Sequence, residues 1–333
     1  MDHTELKLRR RTLVDDDPTL IDLAETNLYR SLPAAWPDVF PPIEPSQSTR
    51  AAHRCHFVDL LLDALQLGEE LRSRTLVSHG VRRSLSALFD LLSRHDRTVL
   101  IPGDVYPVYE QLARTTGVRF DPYSARDGLP ESDRLNQHDA LLICDPLKPW
   151  GGSLSPVECN MLATWTGNGQ RLAIIDAAYQ FVPSPHLVRL TVSGGCALLG
   201  SMSKGWLIPD HGGYCVVPDS WRAEAREVFA SLPRDEHRLR VSFAGLSAHR
   251  SRPIEVANHL RVLGDALSQR TAQLDIPASP VNGYFARTSL RFDELLAKGC
   301  IGIPASVFGA PESAGCVLST LPPTASTRED SEN

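Results

Sequence analysis

The sequence predicts a three-layer α/β domain built on a mostly parallel sheet, followed by a smaller α+β domain. Three observations predict it. Short, continuous apolar runs recur from Arg74 to Val217 without clean polar alternation, which suits strands buried on both faces. Helix-period stretches separate several of these runs, as helices laid on both faces of a sheet require. After Val217 the order changes to long helical stretches followed by a few strands, the mark of a separate unit.

Strands of the larger domain are expected at Arg74–Val77, Thr98–Ile101, Val118–Asp121, Ala140–Cys144, Leu172–Asp176, Ala197–Gly200 and Tyr214–Val217. Between the first two, Val81, Leu85, Leu88, Phe89 and Leu92 line one face of a helix. Beyond them, Trp221–Leu232 and Ile254–Leu274 read as helices, the second with Val256, Leu260, Leu263 and Leu267 on one side. A strand at Tyr284–Ala286, a helix around Phe292–Lys298 and strands at Cys300–Ile303 and Cys316–Ser319 follow. The opening residues, with Pro33, Pro37, Pro41, Pro42 and Pro45, read as an irregular arm leading to a short helix over Phe57–Leu67. The polar end from Leu321 reads as a disordered tail. The expected division is an N-terminal arm at 1–45, a large domain at 46–225, a small α+β domain at 226–320 and a tail at 321–333. No internal repeat is evident.

The 333 residues, 42% hydrophobic and 22% charged, suffice for one large core and a second, smaller one. A net charge of -6 gives no electrostatic reason to expect nucleic acid or an anionic membrane as partner. The start, MDHTELKLRRR, has no apolar stretch after its charges, and no run approaches the length of a spanning helix. A soluble, cytoplasmic protein is expected. The seven cysteines are scattered and form no C-x-x-C pair, as reduced thiols would be. The cluster of His53, Cys55 and His56 lacks a second set of ligands, so no metal site is expected.

In a parallel sheet, ligands bind beyond the carboxyl ends of the strands. Those ends carry Ser78-His79-Gly80, Asp104-Val105-Tyr106, the run from Asp145 to Gly151, Asp176 to Tyr179, and Ser201-Met202-Ser203-Lys204. These residue types meet the needs of pyridoxal 5′-phosphate (PLP). Its aldehyde requires a lysine, its pyridine nitrogen a carboxylate. Its phosphate requires a helix N-terminus and hydroxyls, and its ring a flat side chain.

The strings themselves resemble those of the fold-type I PLP enzymes, class I/II aminotransferases above all. VSHGVRRSLSALFDLL resembles their phosphate-cupping turn and helix, which brings Ser78, His79, Gly80 and Val81 to the phosphate. VLIPGDVYPVYEQLARTTGVRF resembles the segment whose first tyrosine, here Tyr106, stacks on the ring. LLICDPLKPWGGSLS resembles the N-P-x-N-P-T-G segment, and RLAIIDAAYQFV the D-E-A-Y segment, which sets Asp176 on the pyridine nitrogen and Tyr179 on O3′. LGSMSKGWLIPDHGGYCVV resembles S-x-S-K, which makes Lys204 the Schiff-base lysine with Ser201 and Ser203 near the phosphate. ELLAKGCIGIPASVFG resembles a segment of the family's small domain. The resemblance implies an aspartate-aminotransferase-like fold, PLP as cofactor, a small amino-acid or amine substrate and a homodimer.

The departures bear on the reaction. Lys148 replaces the asparagine that meets O3′, either lowering the Schiff base's pKa or pointing to solvent, and Trp150 replaces a threonine, placing it near substrate. The phosphate-clamping arginine is replaced by Gly212, or by His211 if one residue is deleted. Leu318 stands where an arginine reads the substrate carboxylate, leaving Arg287 or Arg291 to substitute. The stretch between Tyr214 and Gly283 is shorter than the family's, and its N-terminal tyrosine motif is not recognisable. The leading reading is a PLP enzyme forming an external aldimine with an unusual amino acid or amine. The alternatives are a lyase or carbon–carbon bond-forming enzyme (β/γ-elimination or replacement, including on an S-adenosylmethionine-like substrate) and a catalytically inactive binding subunit. A nucleotide-binding oxidoreductase fails for want of G-x-G-x-x-G after any strand.

Overall fold

A computed structural model describes residues 2–36, 38–39, 54–105, 107–147, 150–208, 212–232 and 235–323. The chain forms two compact units, one of residues 1–42, 148–151 and 258–333, the other of residues 43–147 and 152–257. The sequence places a boundary near residue 225; the larger unit runs on to Ala257, dividing inside a long helix.

The N-terminal stretch is not the irregular arm that its prolines suggest. Helix α1 (His3–Asp16) starts at Asp2, whose Oδ1 accepts the N–H groups of Thr4 and Glu5 at 2.7 and 2.8 Å. Strand β1 (Ile21–Asp22) and helix α2 (Leu28–Ala35) follow, with Pro33 inside α2. Leu23, Leu28 and Leu32 are buried, and this apolar burial outweighs the prolines. The remaining prolines of the arm, Pro37, Pro41, Pro42 and Pro45, and His53 lie outside the described residues.

The larger unit begins with helix α3 (Arg54–Ala64) and strand β2 (Thr75–Ser78), then alternates: α4 (Val81–Arg94), β3 (Thr98–Pro102), α5 (Val108–Thr116), β4 (Arg119–Tyr123), α6 (Ser132–Asn136), β5 (Ala140–Cys144), α7 (Pro156–Thr166), β6 (Leu172–Asp176), α8 (Pro185–Val192), β7 (Ala197–Ser201), α9 (Met202–Gly205) and β8 (Gly213–Val216). Its seven-stranded sheet has the order β2-β8-β7-β6-β5-β3-β4. Only β8 runs against its neighbours; the pairs from β7 to β4 are parallel. Every residue of β5 and β6 is buried, as their apolar sequences dictate. Helices α10 (Arg222–Ala230), α11 (Glu236–Ala248) and α12 (Arg252–Gln273) follow. The sequence reading contained no α11; its apolar residues lack a strong one-sided pattern.

The smaller unit is completed by β9 (Phe285–Thr288), α13 (Phe292–Ala297), β10 (Cys300–Ile301), β11 (Ile303–Pro304) and β12 (Cys316–Ser319). β12 lies between β11 and β9, antiparallel to both, and β10 pairs in parallel with β1. The chain end is ordered further than its composition suggests: Leu321 is buried and the Pro322 carbonyl accepts the Ser31 hydroxyl at 2.6 Å. Residues 324–333 lie outside the described residues. Among the described residues no helix is long and apolar enough to cross a membrane, no group of His, Cys, Asp and Glu is placed to hold a metal, and the six described cysteine side chains are buried free thiols.

Buried Arg74 ties the sheet's edge to α8. Its Nε donates to the Val217 carbonyl at 2.7 Å and its two terminal nitrogens to the Val192 and Thr191 carbonyls at 2.9 and 2.5 Å. Arg74→Met removes three buried hydrogen bonds, and is expected to lower unfolding stability by about 3 kcal/mol. Urea unfolding checks this: the midpoint should fall with an unchanged slope, and an unchanged midpoint would contradict it.

Candidate active site

Strand register sets the candidate residues side by side. Ser78 on β2 pairs with Gly213 on β8, and Gly213 with Ser201 on β7. On the parallel side, Asp176 ends β6 opposite Leu199 of β7 and Cys144 of β5. These carboxyl ends share one rim because the parallel strands share one direction.

Asp176 is buried and its carboxylate is met by protein donors. Oδ1 accepts the Ala178 N–H at 3.0 Å, and Oδ2 accepts the Tyr109 hydroxyl at 2.6 Å. The chain then turns outward to Tyr179. Lys204 Nζ lies 5.3 Å from the centre of the Tyr179 ring, within cation–π range. Lys204 stands in the single turn of α9, capped by Ser201, whose hydroxyl lies 2.8 Å from that of Ser203.

Helix α4 opens at Gly80, with φ 91, and no side chain caps its first N–H groups. Glycine takes that left-handed angle without strain. A β-carbon on Gly213 would sit 2.6 Å from Gly80 Cα and 2.9 Å from the Gly200 carbonyl, so only glycine lets the three backbones meet. Ser78 Oγ lies 2.6 Å from Ser84 Oγ inside the turn. His79 Nε2 accepts the Asp235 N–H at 2.9 Å at the start of α11, and Val81 begins α4. A helix N-terminus without a side-chain cap, beside Ser201 and Ser203, is a donor set that fits a phosphate. A buried carboxylate and a lysine on the same unit's rim fit the rest of PLP. Tyr106, Lys148 and His211 lie outside the described residues.

Of the two positions where the resemblance leads to an arginine, Gly212 is described and His211 lies outside the described residues. Gly212, eight residues after Lys204, donates its N–H to the buried Ser242 hydroxyl of α11 at 2.9 Å. A β-carbon at Gly212 would stand 2.7 Å from Ser242 Oγ and 3.1 Å from its Cβ. Helix α11 therefore fills the space that a longer side chain would need.

In the smaller unit, Leu318 is fully buried and pairs with Ala286, while Arg287 pairs with Val317. Side chains alternate along strands, so Arg287 and Leu318 are on opposite faces of the small sheet. The Arg287 guanidinium lies 5.7 Å from the centre of the Trp150 ring, and its buried Nε has no hydrogen-bond partner among the described residues. Arg291 is exposed, precedes α13 and stands 3.9 Å from Glu294.

Two residues at the rim escaped the sequence reading in their roles. Tyr109 is the second tyrosine of V-Y-P-V-Y, and nothing in the string shows that it reaches Asp176. Asp145 accepts the Leu154 N–H and the Gln180 amide, each at 3.3 Å, and burial pushes its carboxyl up to about 6.

A family profile, Aminotransferase class I and II, matches residues 46–291. The chain is 29% identical over 116 residues to the LL-diaminopimelate aminotransferase of Chlamydia pneumoniae, covering 33% of this chain and 29% of that one. It is 26% identical over 187 residues to the histidinol-phosphate aminotransferase of Chlorobium luteolum, covering 52% of each. The matched stretches thus span about half or less of these relatives' length. Among solved structures, Thermus thermophilus aspartate aminotransferase superposes with a TM-score of 0.67 at 16% identity, covering 96% of this chain and 92% of that one. The fold is aspartate-aminotransferase-like.

The raised Asp145 carboxyl has a measurable sign. Its folded value of about 6 lies above the usual value of about 4, so its favourable contribution is full below about pH 4 and is lost as pH rises through about 6. Asp145→Asn removes the buried charge, and the unmet Gln180 Oε1 can turn to accept the new amide. The variant is expected to gain about 1–3 kcal/mol over the parent at pH 8 and nothing at pH 4. Thermal melts at the two pH values check this; equal differences at both would contradict it.

Proposed function

The chain belongs to the class I and II aminotransferases, and from that premise we propose that it is a PLP-dependent transferase acting on the amino group of an unusual amino acid or amine. The observation that carries the reading is the single rim of the larger unit, where Asp176, Tyr179, Lys204, the two serines and the open end of α4 converge. Members of the family use PLP. When bound, PLP supplies an aldehyde that condenses with amines and a pyridinium that accepts an electron pair.

The proposed roles follow from the donors and acceptors present. The first N–H groups of α4 and the hydroxyls of Ser201 and Ser203 donate to the phosphate. Asp176 accepts a hydrogen bond from the ring nitrogen and holds its proton there. The Tyr179 hydroxyl donates to O3′. Lys204 Nζ would hold the cofactor covalently and would move the proton at the substrate carbon. Amino transfer and elimination share these groups, and the family match favours transfer.

Substrate reading is assigned to Arg287 beside Trp150, rather than to Arg291, because the Arg287 Nε–H is buried without an acceptor among the described residues, whereas Arg291 is exposed. Leu318 offers a carboxylate no donor, which leaves Arg287 as the candidate for that contact where a substrate carries one. A homodimer forms part of the proposal, checked by light scattering.

Lys204→Ala is expected to abolish turnover while retaining the fold. Single-turnover mixing should show rapid loss of the cofactor's yellow colour with the true substrate and slow loss with glutamate, aspartate and alanine. Arg287→Met should raise KM by about 10- to 100-fold, the effect of one lost charge-assisted contact, with kcat changed much less. Rapid conversion by glutamate or alanine, or an unchanged KM, would overturn the substrate assignment.

A further inference from the structure

The acid end of β6 has a second residue behind it. Tyr109, in the first turn of α5, is buried to 3% exposure, and its hydroxyl donates to Asp176 Oδ2 at 2.6 Å. Its other neighbour is the Cys144 thiol, which ends β5 in register with Asp176. Asp176 is 8% exposed, so its rotamer and charge depend largely on the donors the protein provides.

We propose that Tyr109 is a positioning residue for the reaction, fixing the Asp176 carboxylate and keeping the shared proton on the cofactor's ring nitrogen rather than on Asp176. The inference rests on the cofactor site described above and goes beyond it. A phenol donor stabilises the charged form of the carboxylate and lowers its appetite for a proton. With Oδ1 turned to Ala178 N–H and Oδ2 to Tyr109, the carboxylate plane is held at two points. Tyr109 does not lose its own proton in the working range: burial first, and the Asp176 charge second, push its hydroxyl well above the usual range for a phenol. Tyr214, also buried and raised by burial and then by the Asp176 charge, stays neutral beside it. Without the Tyr109 donor, Asp176 becomes a better base and draws the proton off the ring nitrogen, which weakens the electron sink.

The test uses holoenzyme reconstituted with PLP carrying 15N in the ring, whose resonance separates a protonated from a neutral nitrogen. Tyr109→Phe keeps the ring's shape and should move the resonance toward the neutral value, with kcat down about 10- to 100-fold and KM within about threefold. Should Tyr109→Phe fail to fold, 3-fluorotyrosine in place of Tyr109 keeps the shape and makes a stronger donor, and should move the resonance the opposite way. A resonance that shifts in Asp176→Asn but in neither Tyr109 variant would overturn the role of Tyr109 alone. A wild-type resonance that Asp176→Asn leaves in place would overturn the assignment of Asp176, and the proposal with it.

Discussion

A carboxylate taken out of water must find its partners within the protein, and the rim of the larger unit is arranged around one. Asp176 ends a strand whose every residue is buried, so no side-chain freedom relocates it to solvent. Its partners come from different elements: the chain's own turn at Ala178 and the first turn of α5 at Tyr109. Unpaired, a charge there would cost several kcal/mol. The sheet order makes the arrangement possible, because β5, β6 and β7 are parallel neighbours and bring their ends to the same level.

The same register builds the opposite end of the site. Gly80, Gly200 and Gly213 bring three backbones closer than any β-carbon permits, which leaves the start of α4 open beside two serine hydroxyls. Helix α11 then closes the space behind it, with Ser242 against Gly212 and the Asp235 N–H on His79. A hydroxyl and a helix thus occupy the space beside Gly212. In the proposed cofactor site, the donors that the described residues offer a phosphate are backbone N–H groups and hydroxyls.

Much of this was legible in the sequence for a physical reason. Strands buried on both faces are continuous apolar runs, so β5, β6 and β12 lie where the pattern places them, to the residue. Residues at strand ends inherit that accuracy, which is why Asp176 and Ser201 end β6 and β7 and Lys204 follows β7 in α9. What was missed depends on pairing over distance. Helix α11 has weak periodicity, and its anchor, Ser242 on Gly212, is invisible along the chain. The N-terminal residues looked irregular because prolines are local signals, whereas the burial of Leu28 and Leu32 and the pairing of β1 with β10 come from the far end of the sequence. Tyr109 and Tyr106 are equivalent as letters, and only the fold shows that Tyr109 reaches Asp176.

The central claim is that the β5–β8 rim is a cofactor site whose covalent anchor is Lys204. Borohydride reduction of the PLP-loaded protein, followed by proteolysis and mass spectrometry, tests this most directly. The account predicts a reduced cofactor on the peptide containing Lys204 and on no other lysine. A label on Lys148, or a protein that takes up no cofactor, would contradict it.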